Sequence, residues 1–261
     1  MIKKSIGFIG GGRITHIILE GFKRKNQAFK EVAVSDINLD TLNRLIEKFP
    51  EIKISPNDNQ QPASKDIVFI ALHPPVISSV LNEIKTTLKS AAALISLAPK
   101  LTISKLTEHL ENFRRVIRMI PNACSVINAG YNPIVFSQEI DETERKDLLN
   151  ILAILGECPE VDEEKLEAYV ILTGMGPTYL WFQLYELEKI GTSFGLTPEE
   201  VRNAVSRMAE GTAKTMFETG LMPEEVMDLI PVRPLEEEEE NIKGMYRARL
   251  GALFNKLKSL N

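Results

Sequence analysis

The sequence predicts an α/β chain in two parts, a doubly wound parallel sheet followed by a small all-α domain. Three observations carry this. Residues 6–15 read IGFIGGGRIT, a β-prone stretch that passes through three glycines into a helix-compatible one. Short apolar runs then alternate with helical patterns as far as about residue 155, the signature of parallel strands joined by crossover helices. Beyond about residue 160 the strand signal stops.

The elements follow in order. Apolar runs at 5–9, 31–35, 67–72, 93–97 and 116–120 read as buried parallel strands, with further strand signal at 131–136. Helical patterns lie between them at 13–25, 39–48, 75–89 and 102–111. Residues 141–155 form another, with Asp141 at the N-cap and Glu142 and Glu144 in the first turn. Residues 162–190 keep an apolar helical period, interrupted by Gly174, Gly176 and Pro177. Thr197 caps a helix over 198–219, Pro198 takes its first position and Gly220 ends it. A last helix covers about 235–260. The expected domains are 1–158, nucleotide-binding, and 159–261, helical. The acidic run 236–240 suits a solvated first helical turn; a binding role is the alternative.

The 261 residues are 44% hydrophobic and 26% charged, which are globular values. A net charge of −5 gives no support for nucleic-acid binding. Cys124 and Cys158 lie too far apart for a metal or redox motif and read as thiols of a cytoplasmic protein. No apolar run approaches the roughly 20 residues of a membrane span. The opening MIKKSIGF has no long apolar stretch and does not read as a secretion signal. No metal is expected.

The glycine segment carries the chemistry. In G-x-G-x-x-G the first glycine makes the tight turn, the second lets backbone approach a pyrophosphate, and the third allows close helix packing. Gly10 and Gly12 fill the first two places, and Thr15 stands at the third. The free N–H groups at the helix start then attract cofactor phosphates. This is the dinucleotide-binding fingerprint of a Rossmann-type domain. Asp36 ends the second strand and suits the adenosine ribose hydroxyls, which favours NAD over NADP; alternatively it caps the helix at 39. Ser35 and Asn38 leave NADP open. His73, before Pro74 and Pro75, sits beyond the third strand, where a cofactor contact or a proton donor is expected; a plain loop histidine is the alternative. Asn122, on the same edge, can face a nicotinamide carboxamide or simply end a strand. The glycines of LTGMGPTY, residues 172–179, suit either a ligand or a tightly packed neighbour. Apolar residues over more than one face of the long helices, Leu180, Trp181, Phe182, Leu184 and Leu187 among them, predict an obligate homodimer or a larger homo-oligomer.

The ordered set IGFIGGGRI, DIVFIALHP, RVIRMIPNA, LTGMGPTY, FGLTPEE and EGTAKTMFETG resembles pyrroline-5-carboxylate reductase over residues 5 to about 220. The resemblance implies an NAD(P)-dependent reductase that delivers hydride to the C=N bond of a cyclic imine. It implies a dimer with interlocked helical domains and an active site shared between subunits. By match, Gly10, Gly12 and Ile14, with Arg13, touch the pyrophosphate. Ala71, Leu72, His73 and Pro74 line the cofactor, Asn122 faces the nicotinamide, and Met175 and Gly176 belong to the substrate side. Asp58 stands where the family has an Asn on the adenosine side.

The chain also departs from the family. His73 replaces a Lys, Ala123 a Thr and Met175 a Ser. The family's S-P-G-G-x-T segment, which cradles the substrate carboxylate, should fall at 229–236, where the chain reads LIPVRPLE. Arg233 is the one residue there that could hold a carboxylate; pairing with the neighbouring glutamates is the alternative. The leading expectation is a reductase of 1-pyrroline-5-carboxylate or a related imine. A second is a non-catalytic paralogue that has lost the substrate clamp. A third is a ketone or alcohol reductase using a lysine of the helical domain, with Lys165, Lys189 and Lys214 as candidates.

Overall fold

The structure, a computed structural model, describes residues 2–258. Nine strands are described: β1 (Ile6–Ile9), β2 (Val32–Asp36), β3 (Lys53–Pro56), β4 (Ile67–Ile70), β5 (Ala93–Ser96), β6 (Val116–Met119), β7 (Gly130–Tyr131), β8 (Ile134–Phe136) and β9 (Gly156–Glu157). The helices of the first part are α1 (Arg13–Arg24), α2 (Leu39–Lys48), α3 (Gln60–Ala63), α4 (Pro74–Ile84), α5 (Ile103–His109), α6 (Glu142–Leu152) and α7 (Leu166–Tyr169). Those of the second part are α8 (Pro177–Ser193), α9 (Pro198–Glu218), α10 (Pro223–Asp228) and α11 (Glu239–Lys258).

Seven strands form one sheet in the order β3-β2-β1-β4-β5-β6-β8, parallel except for β8. The chain starts in the middle, at β1, and winds outward both ways, so the strand order reverses between β1 and β4. β1, β4, β5 and β6 are buried at every residue, which explains their unbroken apolar sequences. One core cluster gathers Phe8, Phe69, Ile95 and Ile117 with Ile18 and Phe22 of α1 and Leu42 and Leu45 of α2. Phe8 and Phe69 stack at 4.7 Å there. The other cluster sets Ile9, Val68, Ile70 and Leu94 against Ile77 and Leu81 of α4 and Leu106 of α5.

Three elements depart from expectation. β3 (KISP) carries no apolar run, because as the edge strand it buries little. The run expected as one strand at 131–136 divides into β7 and β8, which pair with different partners. The long helical stretch at 162–190 is broken. After α7 comes a π-helical turn, Val170–Gly174, closed by the Met175 N–H on the Val170 carbonyl at 2.9 Å, and only then α8.

The strands end at Glu157, beside the expected boundary at 158/159, but compactness divides the chain later. One unit runs to Met175 and includes the residues from Leu253; the other is Gly176–Ala252. Residues 163–167 belong with the sheet because of Arg118. This arginine lies on β6 at 1% exposure. It donates to Glu163 at 2.9 Å and to Glu167 at 2.8 Å, and Glu167 is itself buried. Glu163 also accepts the Ile103 N–H, and Glu167 the Lys100 N–H, so the two carboxylates bind three segments together.

The second unit buries little of itself. None of the 17 residues of α8 is buried, and only Val201 of α9. Phe182, Tyr185, Phe194 and Phe217 are all more than 60% exposed. Thr197 and Glu200 form a capping box, so α9 is firmly started even though it is poorly covered.

Arg118→Met should lower unfolding stability by about 3–5 kcal/mol, because it leaves the Glu167 carboxylate buried without its partner. Adding Glu167→Gln should recover part of that loss. Chemical denaturation of the three proteins checks this, and an unchanged midpoint for Arg118→Met would remove the ion pair from the account.

Candidate cofactor site

The glycine turn lies where the strand order reverses, and its geometry follows from crowding. The Gly10 N–H donates to the Ser35 carbonyl of β2, and the Ala71 N–H beyond β4 donates to the Ile9 carbonyl, both at 2.8 Å. Gly10 is thus held between two strand ends with φ at +101°. A Cβ on it would lie 2.4 Å from the Ala71 carbonyl oxygen and 3.0 Å from the Leu72 side chain. Thr15 is fully buried and donates its hydroxyl to the Gly10 carbonyl at 2.6 Å, which pins the turn from below. Sequence spacing alone did not disclose that bond.

Gly12 has the opposite surroundings. A Cβ there would meet nothing within 4 Å. It is the N-cap of α1, and no side chain caps that helix. Arg13 and Ile14 begin the helix, so their amides face open space at the positive end of a helix dipole.

Asp36 stands beside this turn. Its carboxylate accepts the Gly11 N–H and the Asn38 N–H, each at 2.8 Å. It does not cap α2. That is the work of Asn38, which accepts from Asp40 and Thr41. Asp36 is half-buried, and its oxygens retain acceptor capacity beyond these two bonds. Asp58 accepts the Gln60 N–H at the start of α3. The neighbouring Asn59 reaches the end of β2 instead, where it accepts the Ser35 hydroxyl at 2.7 Å.

A cavity of about 620 Å³ opens between α1 and α2, next to Gly11 and Gly12. Arg13 and His16 line it from α1, and Thr41, Arg44 and Lys48 from α2. The Lys48 ammonium lies 3.1 Å from His16 Nε2. Burial, and then the Lys48 charge, lower the pKa of His16. The α2 residues fall at i, i+3 and i+7, one helix face, a spacing that was present in the sequence.

Ala71 and Leu72 therefore meet the glycine turn directly. His73 follows them as the exposed N-cap of α4, with no capping bond from its ring, and Pro74 takes the first helical position.

Asn122 is placed otherwise than its expected free amide requires. It is 6% exposed. Its Oδ1 accepts the Cys124 N–H at 2.8 Å, and its Nδ2 donates to the Thr173 carbonyl at 2.6 Å. The carboxamide thus ties the end of β6 to the π-helical turn. Gly174 of that turn explains its own presence, since a Cβ would lie 3.2 Å from Ile120. At Gly174 the glycine serves close packing. Met175 closes the first unit and Gly176 opens the second.

Arg233 lies in the second unit and is engaged by Glu236 at 2.8 Å and by Glu239. The proposed lysines are all surface ion pairs: Lys165 with Asp162, Lys189 with Glu186 and Lys214 with Glu210. None is set in an apolar pocket that would prepare it for proton transfer.

Residues 5–100 match the family described as NADP oxidoreductase coenzyme F420-dependent. Residues 163–232 match the family described as pyrroline-5-carboxylate reductase dimerisation. Pyrroline-5-carboxylate reductase 1 of Bacillus spizizenii is 26% identical over 230 residues, covering 87% of this chain and 77% of that protein. The solved structure of a pyrroline-5-carboxylate reductase from Coxiella burnetii is 26% identical, covers 99% of both chains and gives a TM-score of 0.76. That of Plasmodium falciparum pyrroline carboxylate reductase with NADP bound gives 0.83 at 23% identity, over 100% of this chain and 99% of that one, a likeness of fold.

Asn122→Ala should cost about 1–3 kcal/mol, through the lost cap and the unmade bond to the Thr173 carbonyl. Asn122→Asp keeps the cap but turns a carboxylate oxygen on that carbonyl, and should cost at least as much. An Asp variant as stable as the parent in thermal unfolding would contradict this assignment of the amide.

Proposed function

We propose that this chain, which belongs to the pyrroline-5-carboxylate reductase family, is an NAD(P)-dependent reductase of a cyclic imine, 1-pyrroline-5-carboxylate or a relative of it. The observation that carries the reading is the turn at Gly10–Gly12. It is closed below by strand ends and Thr15, and open above where a dinucleotide diphosphate fits.

The residues present suit the cofactor. The uncapped amides of α1 bind its diphosphate, with Arg13 beside them. Asp36, steadied by Gly11 and Asn38, accepts the ribose hydroxyls. Ala71, Leu72, His73 and Pro74 border the site beyond β4. When bound, the nicotinamide supplies a hydride to the imine carbon while the nitrogen takes or keeps a proton. His73 is the exposed group on that edge able to give a proton; Asn122 serves by holding the π-helical turn before Met175 and Gly176. In this reading the protein works at neutral pH in the cytoplasm, in proline synthesis.

The C-terminal unit carries the family's dimerisation region, so the protein forms a homo-oligomer. We take the unit to be an obligate homodimer. Its long helices bury almost nothing within one chain, and large apolar faces need cover. Light scattering at micromolar concentration should give at least a dimer; a monomer would end this reading.

Turnover of reduced cofactor with a panel of cyclic imines tests the activity itself, and no oxidation with any of them would sink it. For 1-pyrroline-5-carboxylate we expect an efficiency well below about 10⁴ M⁻¹s⁻¹, an ordinary enzyme value. The 229–236 segment lacks the glycine pair and threonine of the family, and Arg233 is already engaged by carboxylates. Arg233→Ala should therefore leave KM for that substrate nearly unchanged. A large rise in KM would show that Arg233 is the carboxylate clamp.

Asp36 supports NAD. Calorimetric titration should find NADH bound at least as well as NADPH, and tenfold tighter NADPH would overturn this.

A further inference from the structure

The 229–236 segment forms one wall of a cavity of about 700 Å³ that lies wholly within the helical unit. Ile230, Pro231, Arg233 and Glu236 come from the segment, and α10 supplies Glu224, Met227 and Asp228. The wall is poor in donors for a carboxylate. Pro231 and Pro234 have no backbone N–H. The Glu236 N–H is spent on the Arg233 carbonyl at 3.1 Å. The Arg233 guanidinium gives one nitrogen to Glu236 and another to Glu239, and its Nε is closed to solvent. Lys243, the other cation of the lining, is held by Glu239 at 3.4 Å and by Glu240 at 3.0 Å.

Negative charge is in surplus there. Glu224 and Asp228 make no ion pair among the described residues. They stand at i and i+4 on α10, one helix face, where two like charges repel and weaken the helix. Asp228 also sits at the helix end whose dipole disfavours an anion. A cation held by both relieves both penalties. Met227, Ile230 and the proline rings suit an organic cation, since apolar walls take a hydrocarbon ring while carboxylates take its charge. No group of three or more His, Cys, Asp or Glu among the described residues is placed to hold a metal ion.

A protonated cyclic imine is such a cation. Its nitrogen carries the proton and the positive charge, and the adjoining carbon accepts hydride. Resting on the imine-reductase reading above, we propose that the chain's substrates extend to, and favour, cyclic imines that bear no carboxylate, such as 1-pyrroline. Glu224 and Asp228 hold the iminium and repel an anionic substituent on the ring. The step balances with the reduced cofactor alone. The new C–H bond takes its hydride, the C=N π pair passes to nitrogen to leave a neutral cyclic amine, and the cofactor departs oxidised.

Steady-state kinetics of the full chain, with reduced cofactor in excess, compare the two imines. In the parent, kcat/KM should be at least about tenfold higher for 1-pyrroline than for 1-pyrroline-5-carboxylate, because like charge at the wall disfavours the second. Asp228→Asn and Glu224→Gln keep size and remove charge. Each should raise KM for 1-pyrroline and lower that ratio, with kcat little changed. Pyrrolidine, the cationic product, should compete with 1-pyrroline, and L-proline, which adds a carboxylate, should compete far less. A parent ratio of one or less overturns the inference, as does a ratio that neither variant lowers, or L-proline competing as well as pyrrolidine. In each of these cases the reductase reading survives. No cofactor oxidation with either imine, or with any other of the panel, overturns both.

Discussion

The structure turns on the space at Gly10. β1 lies inside the sheet, with β2 on one side and β4 on the other, and the chain must leave it upward between their two ends. The Ser35 carbonyl and the Ala71 amide close in from either side, and the backbone can pass only with positive φ and no Cβ. That single constraint fixes where α1 begins, and hence where its free amides point. It also sets Asp36 and Ala71 on opposite flanks of one turn. Thr15 completes it: a threonine fits where a smaller residue was expected because its hydroxyl is consumed by the Gly10 carbonyl. The cofactor edge is thus a consequence of sheet topology, and the side chains around it refine a position that the backbone has already chosen.

Much of this is legible in the sequence because burial on both faces writes itself as apolar runs. β1, β4, β5 and β6 are read at nearly their full extent for that reason, α2 because a clear period marks it, and α9 because Thr197 also caps it. β3 is not legible, since an edge strand of lysine, isoleucine, serine and proline has no face to announce. The short helices α3 and α10 are hidden in the same way, each too brief to show a period. The π-helical turn is hidden for another reason: its cause is long-range. Asn122, 51 residues away, holds the Thr173 carbonyl, and no local pattern encodes that bond.

The candidate site divides along the same line. Gly10 and Gly12 could be placed from spacing because they are backbone features of a turn, whereas Ala71 and Leu72 come only from the resemblance. Asn122 could not, because its role depends on which partners its amide finds, and it finds two inside the fold. Asp36 falls between. Its place at the end of β2 is local, but its freedom from capping α2 depends on Asn38 taking that duty. Side chains with both donors and acceptors are the hardest to assign from sequence, since burial decides whether they serve a ligand or the fold.

The two units use charge and apolar surface in contrasting ways. In the sheet unit the apolar residues are inside, and the most deeply buried cation among the described residues, Arg118, is matched by two carboxylates that fasten further segments to the core. In the helical unit the apolar residues are largely outside, and carboxylates are paired on α8 and α9 and around the start of α11, where Arg233, Lys243 and Arg247 hold Glu236, Glu239 and Glu240. Exposed ion pairs of this kind add little stability. They do neutralise the acidic turn locally, which leaves the exposed phenylalanines and tyrosines of α8 and α9 as the dominant uncompensated feature of the unit. A surface so constituted gains far more from meeting a copy of itself than from any rearrangement within one chain. The exposed apolar faces of the helical unit thus fit the association proposed above.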